Sequence, residues 1–179
     1  MTIENEPAGS ASTPTPTPLA HHDSYADTLI RGILRDVKVI AMVGASANWN
    51  RPSFFAMKYL QQKGYRVIPV NPKEAGTQIL GEQVYADLAD LPTPVDMVQV
   101  FRRSETVGPI ADQAIAMGAK VLWMQLGVRN DEAAAKAEAA GLTVIMNRCP
   151  KIEYGRLSGE IGWLGVNTRV ISSKRSKRI

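Results

Sequence analysis

Short, almost uninterrupted apolar runs at 39–43, 67–70, 96–101, 121–124 and 143–146 alternate with longer stretches whose apolar positions recur at helical spacing. Runs of that length with little polar alternation predict strands covered on both faces, and so a parallel sheet. The helical stretches 54–63, 105–117 and 130–140 end at Gly64, Gly118 and Gly141. Glycine just past a helix takes the left-handed cap that other residues resist. Helix, glycine and strand therefore repeat three times, which predicts a doubly wound α/β domain: a mainly parallel five-stranded sheet with helices on both faces.

Ahead of the first strand, Tyr25, Leu29, Ile30, Ile33 and Leu34 lie at helical spacing behind Asp23 or Ser24, a suitable N-cap; they predict an amphipathic helix over 23–37 docked on the domain. The segment 73–94 is looser, with Gly76, Gly81, Pro92 and Pro94; 83–85 predicts a short strand and 86–91 a short helix. Phe54, Met57 and Leu60 fit the buried stripe of the helix after the first strand, and Trp123 falls in the core.

Length and composition then set the boundaries. The chain has 179 residues, 45% hydrophobic and 21% charged, which suits one domain with one core. We expect a Pro/Thr-rich, disordered lead over 1–22, the folded domain over 23–168 and a basic, disordered tail over 169–179. The net charge of +4 resides in that tail, in Lys174, Arg175, Lys177 and Arg178, so it argues against a nucleic-acid partner. Cys149 is the one cysteine, which excludes an intrachain disulfide and a cysteine-based metal site. No apolar run approaches the roughly 20 residues of a membrane span and no secretion signal is evident, so a cytoplasmic protein without membrane contact is expected. His21 and His22 adjoin the lead, leaving the expected domain without histidine and without Ser-His-Asp chemistry.

In a doubly wound sheet, ligands gather beyond the carboxyl ends of the strands, where strand order reverses. The first strand runs into Gly44-Ala45-Ser46, with Arg51 just ahead of a helix beginning near Pro52 or Ser53. This is a Rossmann-like phosphate cradle, although the sequence 44–49 lacks the G-x-G-x-x-G of dinucleotide enzymes. The second strand ends in Asn71-Pro72-Lys73, the third in Phe101-Arg102-Arg103, and no acidic residue is expected among these ends. Nicotinamide and flavin folds place Asp or Glu after the second strand to hold free ribose hydroxyls; Asn71 and Lys73 suit a phosphorylated ribose, which both NADP and coenzyme A carry. At the second glycine position of the fingerprint stands Ser46, whose hydroxyl either meets phosphate or serves an ordinary turn, and Arg51 either pairs with phosphate or is solvated. The balance favours coenzyme A.

The same residues resemble a known family, the small bacterial CoA-binding proteins, which are similar to the N-terminal nucleotide-binding domain of the succinyl-CoA synthetase α subunit. The resemblance spans 23–157 and rests on several stretches in order: Val43-Gly44-Ala45-Ser46, Arg51-Pro52-Ser53, 64–72, 95–103 and 123–127. It continues through 139–144 and 147–154. The resemblance implies that Gly44, Ala45 and Ser46 cradle phosphate, that Lys73 meets phosphate near the adenosine, and that Val100, Phe101 and Arg102 line the adenine or pantetheine path. It also implies binding of coenzyme A or an acyl-CoA without ligase chemistry, since no histidine follows His22. The alternatives are an NADP-dependent oxidoreductase or redox sensor, and an interaction module with an empty cleft. Cys149, beside Arg148 and Lys151 at the end of the fifth strand, is either an idle thiol or a partner for a mixed disulfide with the CoA thiol.

Overall fold

The computed structural model describes residues 19–160. The five apolar runs form strands β1 (Val39–Val43), β2 (Arg66–Val70), β5 (Met97–Val100), β6 (Val121–Met124) and β7 (Thr143–Ile145), all parallel, in the order β2-β1-β5-β6-β7. The helices are α1 (Asp27–Asp36), α2 (Pro52–Gln62), α3 (Val107–Ala116), α4 (Asp131–Ala139) and α5 (Pro150–Ser158). Alternation along each strand sorts the core. Ala41, Val43, Val98, Val100, Leu122 and Met124 face the alanine-rich sides of α3 and α4, while Ile40, Met42, Met97, Trp123 and Ile145 face α1, α2 and α5. With both faces apolar, the five parallel strands read as nearly continuous hydrophobic runs.

Three local expectations are corrected. α1 starts at Asp27 behind Ala26, because the preceding chain folds separately as a 3-10 turn, Ala20–His22. Leu19 N–H donates to Asp131 Oδ1 (2.8 Å), and Arg129 holds both Leu19 O and Asp23, so the turn is tied to the start of α4 and His22 is buried. The histidines therefore belong to the folded body. Second, in place of a strand at 83–85 there is a hairpin of β3 (Gln78–Ile79) and β4 (Glu82–Gln83), turned by Leu80 and Gly81, both at positive φ. Tyr85 beyond it pairs with Val70 at the sheet edge, and 86–91 contains only the 3-10 turn Leu88–Asp90. Third, α5 was not foreseen; it packs on α1 and α2, where Arg156 bonds Asp27 and Tyr154 meets the rings of Tyr59 and Tyr65 edge-on. The expected segments at 1–18, 161–168 and 169–179 lie outside the described residues. Among the described residues no helix is long and apolar enough to cross a membrane.

Asp96 closes the amino-terminal edge of the sheet, opposite the ligand side expected above. Its Oδ2 accepts N–H from Lys38 (2.9 Å) and Val39 (3.0 Å), and its Oδ1 accepts from Lys120 (2.9 Å). Burial pushes its carboxyl up, but the bonds from Lys120, Val39 and Lys38 outweigh that and hold it below the usual carboxylate range. A folded pKa below the unfolded one means that the stabilisation is complete above the ordinary value and is lost as pH falls through the folded value. Asp96→Asn is thus expected to destabilise the domain at neutral pH by about 1–3 kcal/mol. In urea melts the gap should close below about pH 4; a gap that ignores pH would show that charge is not its source.

Candidate functional site

Strand order reverses at β1, whose neighbours β2 and β5 are reached by connections on opposite faces. Gly44, the residue after β1, has φ +88° and donates its N–H to Val70 O at 2.8 Å. A Cβ there would sit 2.4 Å from the carbonyl oxygen of Phe101 and 3.0 Å from its carbon. Glycine is required because two backbones nearly touch at the switch point.

Asn71, buried at the end of β2, joins the three strand ends. Its Nδ2 donates to Ala45 O (2.8 Å), and its Oδ1 accepts from Lys73 N–H (3.2 Å) and from Arg102 Nη2 (3.2 Å). The first turn, the segment after β2 and the residue pair after β5 are thereby held as one unit.

That unit already binds an anion. Ala47 N–H donates to Glu74 Oε2 at 2.8 Å and Ser46 Oγ donates to Glu74 Oε1 at 3.2 Å, while Ser46 Oγ accepts from Asn48 N–H. The expectation that no acidic residue reaches these ends is corrected here. Glu74 lies three residues past Asn71, and its N–H bonds back to Asn71 O at 3.1 Å, which returns the side chain to the first turn. The turn-forming dipeptide Asn71-Pro72 is the sequence signal that could have placed Glu74 there.

Beside Asn71, a cavity of about 400 Å³ opens between Pro72, Lys73 and Arg102 on one side and Asp87, Thr106 and Gln113 on the other. That volume is within the range of small-ligand pockets. Asp87 Oδ1 accepts from Ala89 N–H, and both its oxygens accept from Gln113 Nε2, each at 3.0 Å; the Ala89 N–H foremost, then Gln113, hold its carboxyl below the usual range. Asp87, in a loop, Thr106, just ahead of α3, and Gln113, within α3, belong to no sequence motif.

Of the expected site residues, the structure brings Gly44, Ala45, Ser46, Asn71, Pro72, Lys73 and Arg102 together. Ala45 and Val100 are buried, so Ala45 offers its carbonyl and Val100 underlies the site from the core. Phe101 contributes its carbonyl against Gly44 and packs its ring toward α1 and α2. Arg51 is exposed as the residue capping α2 and does not line the cavity. Farther along the same edge, Gln99 Nε2 bonds Gln125 Oε1 in the interior at 3.2 Å, Trp123 Nε1 bonds Arg148 O, and Cys149 is buried at the head of α5. Cys149 is not a lining residue of the cavity. Trp49, on the loop after β1, and Leu126, after β6, are 67% and 58% exposed.

With this geometry in view, likeness to other proteins is informative. Residues 38–155 match the family model described as a CoA binding domain. Over 125 residues the chain is 38% identical to YneT, an uncharacterized protein of Bacillus subtilis (strain 168), the match covering 70% of this chain and 91% of that protein. It is 39% identical to the solved structure of a hypothetical protein from Pyrococcus horikoshii OT3, with a TM-score of 0.71 and coverage of 80% and 98% of the two chains. At 23% identity and a TM-score of 0.53, the fold also recurs in a dinucleotide-forming acetyl-coenzyme A synthetase of Ca. Korarchaeum cryptofilum, covering 62% of this chain and 26% of that one.

Proposed function

Because the chain belongs to the CoA-binding domain family, we propose that it binds coenzyme A or an acyl-CoA, without transforming it, at the carboxyl ends of β1, β2 and β5. The observation that carries this reading is the Glu74 carboxylate on Ala47 N–H and Ser46 Oγ. A tight turn that holds a carboxylate with backbone and hydroxyl donors suits a phosphate oxygen equally well. In this reading a phosphate of the cofactor replaces Glu74 there, Lys73 and Arg102 supply the positive charge for a further phosphate, and the cavity beside them takes the adenosine end. Gly44 and Asn71 keep the backbones close enough for all three contacts. Catalysis is not part of the proposal: His21 is bonded to Glu138 of α4, His22 to Tyr25, and Cys149 is buried at the head of α5.

A thermal-shift panel of coenzyme A, acetyl-CoA, NADP and NAD tests the proposal on the parent chain and on Glu74→Ala. We expect the CoA pair to raise the melting temperature, since ligand at 100 times its Kd adds about 2.7 kcal/mol. Glu74→Ala should bind the CoA pair more tightly, because the competing carboxylate is gone. A shift with NADP alone would replace this reading with the oxidoreductase, and silence toward all four would leave the interaction module. Loss of a nucleotide shift in Glu74→Ala would make Glu74 a ribose acceptor instead of a competitor.

A further inference from the structure

Away from that edge, where the 3-10 turn meets the end of α4, three metal-ligating side chains converge. His21 Nε2 lies 3.1 Å and 3.2 Å from the two carboxylate oxygens of Glu138, and His22 Nε2 lies 3.3 Å from Glu138 Oε1. One ligand atom from each residue fits within a 4.8 Å sphere of separations. Bonds of 2.0–2.1 Å in tetrahedral zinc sites place neighbouring ligand atoms about 3.3 Å apart, which is the separation of each histidine nitrogen from Glu138 here.

His22 is the informative member. Its side chain is 1% exposed, and despite its proximity to Glu138 its Nε2 makes no hydrogen bond among the described residues. Buried polar atoms without a partner are rare and point to a missing water or ion. On the other side of the ring, Nδ1 stands 2.8 Å from Tyr25 Oη, which in turn accepts Met146 N–H at 2.7 Å. In the tautomer that donates Nδ1–H to Tyr25, Nε2 keeps its lone pair, 3.3 Å from Glu138 Oε1 but without hydrogen-bond geometry toward it. That lone pair is open to a cation, and this is the oxygen-backed tautomer that metal-bound histidines adopt.

We propose that His21, His22 and Glu138 bind one divalent transition-metal ion of borderline softness, zinc(II) foremost. Two imidazoles and one carboxylate match the donor preference of such ions and leave a fourth position. A cavity of about 430 Å³ lined by the three residues and Tyr25 gives that position room for water. The ion joins the 3-10 turn to α4 and fastens the amino-terminal segment to the domain.

The test uses the full chain without an affinity tag, stripped with a chelator and titrated with Zn²⁺ alone by calorimetry and in melts. Parent chain, His21→Ala, Glu138→Gln, Tyr25→Phe and Cys149→Ser are compared, and metal-free melts verify that each variant folds. His21 and Glu138 are the principal variants because their side chains are 57% and 33% exposed, so their replacement leaves the core intact. We expect one equivalent of Zn²⁺ and a raised melting temperature in the parent and in Cys149→Ser. Tyr25→Phe should lose roughly 10–100-fold in affinity, as outer-shell partners do, and the two ligand variants at least as much. A parent that ignores Zn²⁺, or equal binding in His21→Ala and Glu138→Gln, overturns the site.

Discussion

Gly44→Ala is expected to destabilise the domain by about 3 kcal/mol or more and to abolish the response to coenzyme A. Two costs combine. A non-glycine residue held at the observed φ of +88° carries strain of order 1–3 kcal/mol. The new Cβ would also lie 2.4 Å from Phe101 O, an atom that cannot retreat, because Phe101 N–H is bonded to Val43 O at 2.8 Å. Relief requires β1 and β5 to part where Val43 pairs with Val100, at the centre of the sheet. Gly64→Ala is the control: φ there is +90°, yet a Cβ would meet nothing within 4 Å. Urea melts should show Gly64→Ala losing only the strain. Equal losses at the two positions would refute the clash.

Asn71→Leu should remove ligand binding and cost about 2–4 kcal/mol, because each buried group left without its partner is worth about 1–3 kcal/mol. Ala45 O loses its buried donor, and Lys73 N–H and Arg102 lose the acceptor that aligns them. Asn71→Asp discriminates between packing and hydrogen bonding. It preserves the size and the acceptor toward Lys73 and Arg102, but turns a carboxylate oxygen against Ala45 O. Its melts should show a loss at neutral pH despite the conserved shape. A variant as stable as the parent would mean that the Ala45 bond contributes nothing.

The framework was legible because it rests on burial of both sheet faces and on glycine caps, signals that span many residues. Val39–Val43 and Val121–Met124 fall on the expected positions for that reason, and Trp123 is in the core. α5 was missed because its buried positions, Pro150, Glu153, Gly155 and Leu157, are mostly small or polar, and it is secured by Arg156 and by tyrosine rings from other elements. The hairpin strands have two residues each, too few for a period to register. The turn Gly44 to Ser46 was visible as a motif. Glu74, Asp87 and His22 were not, since each acquires its role from residues distant in sequence: Glu74 from Ser46 and Ala47, Asp87 from Gln113, His22 from Glu138.

Glu74 has a kinetic consequence. A carboxylate tethered beside the turn competes at an effective concentration in the millimolar range, so under the proposed mode an arriving phosphate displaces a resident rather than filling a vacancy. Salt screens the resident and the arriving group alike. The affinity should therefore fall less steeply with ionic strength than Lys73 and Arg102 alone would dictate. Under the same mode the returning carboxylate closes the turn behind a departing ligand and hinders its rebinding.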